Sequence, residues 1–176
     1  METKDILTLI GIVFTFIVGA TGLVIGIINS RKTTFINAIT SSRIKYIQDI
    51  RTSISEYCGL FYRYKLLFDE SSDISNEKLE VLKSIDKLRY QIMLYLNPED
   101  KIWDKRIIDN IELLRQKINN NPEKEIKELI TLTQYLLKLE WEGAKLESRK
   151  GLVSESEKRK LNKKYYAKYL KHSNEQ

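Results

Sequence analysis

The residues best suited to hold a ligand cluster near the C-terminal end. Lys158, Arg159, Lys160, Lys163, Lys164, Lys168 and Lys171 surround Tyr165, Tyr166 and Tyr169. Cations interleaved with rings suit a nucleotide or a single-stranded nucleic acid, because phosphates meet the cations and bases stack on the rings. Lys160, Lys163, Lys164, Tyr165, Lys168 and Tyr169 are the candidate anion or nucleic-acid residues. On a helix starting at Ser154, Lys160, Lys164, Lys168 and Lys171 lie along one side, each about a turn from the next. Two other readings fit the same residues. One is a solvated amphipathic helix whose tyrosines pack on the body; the other is a contact with anionic lipid.

Other chemistry has little to stand on. His172 is the single histidine and Cys58 the single cysteine, so the sequence offers no histidine pair, no thiolate zinc site and no internal disulfide. Cys58 follows Tyr57 on an apolar helical stripe and reads as a small buried hydrophobe. No glycine-rich phosphate loop is present, and the carboxylates spread along helical faces rather than in an Asp-x-Asp cluster. We expect no catalytic residues, no cofactor and no metal, and hence no enzyme.

The elements that must position the basic tail begin with a membrane span. Ile6 to Ile28 contains no charged residue. At 1.5 Å per residue this run covers a hydrocarbon core of roughly 30 Å with slight tilt. Glu2, Lys4 and Asp5 precede it and no small-residue cleavage site follows, unlike a secretory signal. Lys4 is the one basic residue before the span, whereas Arg31, Lys32, Arg43, Lys45 and Arg51 come after it. That asymmetry places the N-terminus outside and the body in the cytoplasm. Gly11, Thr15, Gly19, Gly22 and Gly26 follow one another by three or four residues and form one small-residue stripe, the kind of face through which helices associate in lipid. The expected partners are therefore membrane lipid and further copies of the chain.

Downstream, Ile47, Ile50, Ile54, Tyr57, Phe61, Tyr64 and Phe68 alternate by three and four residues. This is a heptad seam, either a coiled coil between protomers or the inner face of a bundle. With no Pro or Gly between Ile27 and Cys58, the span is free to continue into this helix. Asp69 to Ser75 reads as a loop. A second helix, Asn76 to about Leu96, turns Leu79, Leu82, Ile85, Leu88 and Ile92 inward. Asn97-Pro98-Glu99-Asp100 combines a capping side chain, a first-turn proline and acids at the positive end of a helix dipole. The helix it starts carries Trp103, Ile107, Ile111, Leu114 and Ile118. Asn121-Pro122-Glu123 repeats that chemistry before Ile126, Ile130, Thr133, Leu137, Trp141 and Ala144, and Gly151 ends the fourth helix. Ser154 and Glu157 form a capping box for the last. No strand-like alternation of useful length occurs. The expected fold is all-α: a transmembrane helix, a long juxtamembrane helix and a bundle of about four further helices. We divide it into a 1–30 anchor, a 31–153 bundle and a 154–176 basic, tyrosine-rich tail.

Charge follows this division. Residues 1–68 carry 8 basic and 4 acidic side chains, residues 69–141 carry 12 and 15, and residues 142–176 carry 10 and 5. The basic excess thus flanks the membrane and fills the tail.

Three stretches carry a resemblance. The first runs from Ser30-Arg31 through Ile36-Asn37 to Arg43-Ile44-Lys45-Tyr46-Ile47 and Ile50-Arg51. The second is Leu94-Tyr95-Leu96-Asn97-Pro98. The third is Leu136-Leu137-Lys138-Leu139-Glu140-Trp141-Glu142, with Lys145. In these the chain resembles a loose group of bacterial single-pass membrane proteins with a helical cytoplasmic body. Members often have Trp where this chain has Tyr46, and the likeness ends near Glu147. It implies an inner-membrane location and an architecture, without an activity. By architecture alone the chain is also similar to small membrane effectors of bacterial anti-phage systems, which join a short span to a cytoplasmic sensor, some gated by nucleotides or nucleic acid. The expected function is a homo-oligomeric, channel-forming membrane effector under such a sensor. The alternative is a membrane-tethered adaptor that docks a protein partner.

Overall fold

The computed structural model describes residues 3–70, 75–120, 122–151 and 153–174. The described residues form five helices and no strand: α1 (Thr3–Glu70), α2 (Asn76–Tyr95), α3 (Asp104–Gln116), α4 (Glu123–Lys150) and α5 (Glu155–Asn174).

The apolar N-terminal segment and the heptad seam that follows it are one unbroken helix. α1 has 68 residues, which at 1.5 Å each makes it about 100 Å long. It crosses two regimes. From Ile6 to Phe35 every side chain with described burial is exposed, including Leu7, Phe14, Phe16 and Leu23, and the segment is long and apolar enough to cross a membrane. From Ile47 onward the heptad seam is buried: Ile47, Ile50, Ile54, Tyr57, Phe61 and Tyr64 are each at most 7% exposed. A single chain buries this seam, so it is the inner face of an intramolecular bundle. Only Phe68, beyond the last packed turn, stays partly open.

α2 returns along α1, tied by Arg63–Glu77 near the far end and by Gln91 Nε2 donating to Ser53 Oγ further back. Ser75 caps α2 by accepting from the Lys78 amide. The inward residues include Val81, Ile85, Leu88 and Ile92; Leu79 points outward at 44% exposure, because Lys78 and Val81, each one residue before the expected Leu79 and Leu82, occupy the packed positions. α3 pairs antiparallel with α2 through Arg89–Glu112 and Arg115–Asp86. It starts later than its Asn-Pro signal. Asn97 Oδ1 accepts from the Glu99 amide and Asp100 Oδ1 accepts from the amides of Ile102 and Trp103, which makes a turn before the helix proper. Trp103, Ile107, Ile111, Leu114 and Ile118 are all buried.

α4 runs antiparallel to the body half of α1. Pro122 and Ile126 lie by Phe61 and Tyr62, while Gly151 at the other end packs on Lys32 and Ile36. Ile126, Thr133, Leu137 and Ala144 are buried as expected, together with Leu129, Leu132 and Leu136. Ile130 and Trp141, placed inward by the sequence pattern, are 40% and 43% exposed. They lie on the margin of a buried face that α4 shares with α1, α3 and α5. The proposed cap Asn121 and loop residues 71–74 lie outside the described residues. Gly151 has φ +83° and its amide donates to the Glu147 carbonyl, a helix stop that glycine adopts without steric cost. The Ser154–Glu157 capping box forms: the Ser154 amide donates to Glu157 Oε2, and the Glu157 amide to Ser154 Oγ. α5 then packs antiparallel on α4, giving Tyr165 and Tyr169 to the same core as Trp103.

Candidate functional site

The small-residue stripe of α1 meets nothing in its own chain. A Cβ added at Gly11, Gly19, Gly22 or Gly26 would find no atom within 4 Å. Thr15 turns its hydroxyl onto the Gly11 carbonyl and Thr21 onto the Ile17 carbonyl, so these polar groups are satisfied within the helix. The stripe is a narrow, self-satisfied face on a helix whose apolar surface is otherwise open.

The α4–α5 corner lies beside the start of the body. Gly151 packs on Lys32 and Ile36, and Lys32 is four residues, or about 6 Å, beyond Ile28. A headgroup layer is about 5–7 Å deep on each face of a bilayer. The corner at Gly151 is flanked in sequence by Arg149, Lys150, Lys158, Arg159 and Lys160, and it packs beside Lys32, which follows Arg31. Two acids temper this charge, with Lys150 paired to Glu157 and Lys158 to Glu155. Their cationic partners hold both carboxyls below the usual range. The net result is a basic rim from three separate chain segments.

Along α5, Lys160, Lys163, Lys164 and Lys168 are exposed, as the anion-binding reading requires. The rings are not. Tyr165 is 6% and Tyr169 2% exposed. Tyr169 stands 5.7 Å from the Trp103 ring and 5.8 Å from Tyr135, and its hydroxyl donates to Glu128. Lys168 Nζ lies over Tyr165 at 5.3 Å. Neither ring has a free face for a base. The physical reason is that α5 turns its tyrosines into the core, where Tyr166 and Tyr169 meet the Trp103 ring and Tyr165 joins the same buried cluster. A phosphate backbone still finds a row of lysines there, but base stacking on these two tyrosines has no place in this fold.

A polar cavity of about 410 Å³ opens between α1, α3, α4 and α5. Arg43 spans it, donating from Nη1 to Glu140 Oε2 at 2.8 Å and from Nη2 to Glu147 Oε1 at 3.0 Å. Gly143 permits this, since a Cβ there would lie 2.8 Å from Arg43 Nη1. Asp104 is buried in the same wall. Its Oδ2 accepts from the Asn97 amide at 2.6 Å, and burial pushes its carboxyl up to about 6. Burial also raises the Glu140 carboxyl, against the opposing pull of Arg43. Burial, reinforced by Asp104 and Glu140, holds the Tyr46 phenol well above its ordinary range. No reading of the sequence picked out this site. The signal was there: Asp104 occupies the seam continued by Ile107, Ile111, Leu114 and Ile118, and Glu140 falls between Leu137 and Ala144 on the inner stripe of α4. A carboxylate at an inner position is the mark to look for.

A second, more apolar trough of about 850 Å³ runs between α1 and α4, with Ile47, Ile54 and Cys58 facing Leu137 and Trp141. Burial pushes the Cys58 thiol up to about 11, which leaves it protonated and a poor nucleophile. Among the described residues, no three His, Cys, Asp or Glu side chains are placed to hold one metal ion. No family model matches the chain, and neither a curated protein nor a solved structure does.

Proposed function

We propose that the chain is a homo-oligomeric, single-pass membrane effector of the bacterial inner membrane, with spans that cluster and a cytoplasmic body that senses a ligand. One observation carries this reading: the exposed apolar segment and the principal core helix of the body are the same unbroken helix. A change of packing in the body then acts on the span without a flexible joint to absorb it. The small-residue stripe supplies the face for association. The basic rim at the α4–α5 corner sets the body against anionic headgroups on the cytoplasmic side. Clustered spans would form a channel or breach the bilayer, and defence against phage is the setting in which such an effector works. No residue is assigned a catalytic role.

The test is the mass of the full chain in detergent. Gly22→Ile and Gly26→Ile should weaken oligomers, while Leu23→Ile, off the stripe, should leave them intact. A reporter fused after Gln176 should be active in the cytoplasm, and overexpression should collapse the membrane potential. Equal masses in all three variants would remove the stripe from the reading, and a periplasmic reporter signal would overturn the topology. A second reading, a tethered adaptor, draws on the open trough between α1 and α4 with its half-exposed Trp141. Retained membrane potential together with stoichiometric capture of one protein through Trp141 would favour it.

A further inference from the structure

Two carboxylate oxygens without hydrogen-bond partners, Asp104 Oδ1 and Glu147 Oε2, are buried in residues that line the same polar cavity. Asp104 is 6% exposed. Buried polar atoms nearly always find partners, and an orphaned acceptor carries its full desolvation cost. The charged donors nearby are already committed, and the Tyr46 and Tyr95 hydroxyls and the Asn97 and Asn162 side-chain amides that also line the cavity are neutral. Both ends of the Arg43 guanidinium are held by Glu140 and Glu147. Lys158 is paired with Glu155, the Asn97 amide is given to Asp104 Oδ2, and Trp103 Nε1 donates to Asn162 Oδ1. The cavity therefore has an excess of acidic over basic side chains: Asp100, Asp104, Glu140 and Glu147 against Arg43 and Lys158.

That balance discriminates among ligands. A phosphate would meet four carboxylates and no unpaired guanidinium. A single divalent ion needs converging oxygens that the described residues do not bring together. A volume of about 410 Å³ falls in the range of small-molecule sites. Tyr46 and Tyr95 also line it, and their rings suit an alkylammonium or guanidinium. We infer that this cavity binds a small organic cation with at least two N–H donors, of the guanidino-amine or polyamine class, which satisfies Asp104 Oδ1 and Glu147 Oε2 together. The site rests on the proposed function in one respect: it supplies the chemical class of ligand for the sensor. Its ligand would bridge Asp104 of α3 and Glu147 of α4, and Glu147 also holds Arg43 of α1.

The experiment is calorimetric titration of the full chain in neutral detergent with agmatine, putrescine and spermidine, with tetramethylammonium and magnesium as comparisons. At least one of the three amines should bind saturably. Tetramethylammonium, which has the charge but no N–H, should not. Asp104→Asn keeps an acceptor for the Asn97 amide, and it should weaken binding by about ten- to a hundredfold, the loss expected for one charge-assisted hydrogen bond. Glu147→Gln should act in the same direction. Binding should also strengthen as pH rises through the acidic range where Asp104 gives up its proton, with Arg43, Tyr46, Asp100, Glu140, Glu147 and Lys158 as the other groups facing the ligand. Three results would each overturn the site: no saturable binding of any amine at millimolar concentration, equal binding of tetramethylammonium, or undiminished binding by Asp104→Asn. Oligomer mass is read separately, so a chain that binds agmatine but stays monomeric keeps the site and loses the effector reading.

Discussion

Replacing Arg43 by alanine is the sharpest probe of how the body is fastened to α1, the helix that carries the exposed apolar segment. The guanidinium is a quarter exposed and joins Glu140, also a quarter exposed, to Glu147 at 13%. Removing one partner of a buried charge pair costs about 3–5 kcal/mol, most of it for the charge left behind. The remaining exposure here scales this down to about 2–3 kcal/mol. For a body of this size, that is a fall in melting temperature of roughly 6–10 °C. The loss should depend on pH. Burial already raises the Glu140 carboxyl and Arg43 opposes it. Without Arg43 the folded-state value rises further, so the ionised form of Glu140 is penalised at neutral pH and the penalty is relieved as acid protonates it. The deficit of Arg43→Ala should thus be largest near neutrality and shrink towards pH 5. Adding Glu140→Gln and Glu147→Gln should restore most of it. Thermal unfolding of the detergent-solubilised chain, followed by circular dichroism, reads both effects. A deficit that stays constant with pH, and that the glutamines leave untouched, would show that Arg43 acts through the packing of its alkyl stem and not through charge.

Three further expectations come from the same structure. Gly143→Ala puts a Cβ 2.8 Å from Arg43 Nη1; it should cost about 1–2 kcal/mol and cost much less in an Arg43→Ala background, which a double-mutant cycle measures. Asp104 is held at about 6 against an ordinary 3.8, so its penalty is absent below the lower value, grows between the two and is complete above the upper. Asp104→Asn should therefore gain stability relative to wild type as pH rises through that window, to about 2–3 kcal/mol, and a flat difference across the window in pH-dependent unfolding would contradict the burial argument. Tyr165→Ala should cost about 2–4 kcal/mol as a core truncation, whereas charge reversal at Lys160, Lys164 and Lys168 should leave unfolding nearly unchanged. Those reversals should instead reduce the salt-dependent binding of a short single-stranded oligonucleotide if the row holds phosphates, or of anionic vesicles if it holds lipid.

Much of the fold was legible because the apolar spacing is regular. The Ile47–Tyr64 seam, the Trp103–Ile118 stripe and the Ser154–Glu157 box each follow from local periodicity or capping, and each is found. Spacing alone left the seam divided between a coiled coil and a bundle; the burial of six of its residues within one chain decides for the bundle. Leu79, Ile130 and Trp141 were misplaced for a common reason. A stripe drawn at intervals of three and four drifts around the helix, and neighbours such as Val81 and Leu129 take the packed positions. The tail shows the limit of composition. Lysines and tyrosines in alternation suit both a nucleic-acid platform and an amphipathic core helix, and the burial of Tyr165 and Tyr169 tells them apart. The polar cavity was hidden because Arg43, Asp104, Glu140 and Glu147 come from three helices, with Arg43 about a hundred residues from its partners in sequence.

The unbroken α1 also fixes a rotational phase. A helix turns about 100° and rises 1.5 Å per residue, so the azimuth of the Gly11–Gly26 stripe relative to the bundle is set by the count of residues between them. In the proposed association of spans, that count decides which faces of the bodies are brought round to meet. One residue inserted at Asn29–Ser30 would swing every body by more than a quarter turn against its own span, while seven would bring it back to within about 20°. Sequence in this stretch is free to vary in kind, but its length sets how the stripe faces relative to the bundle.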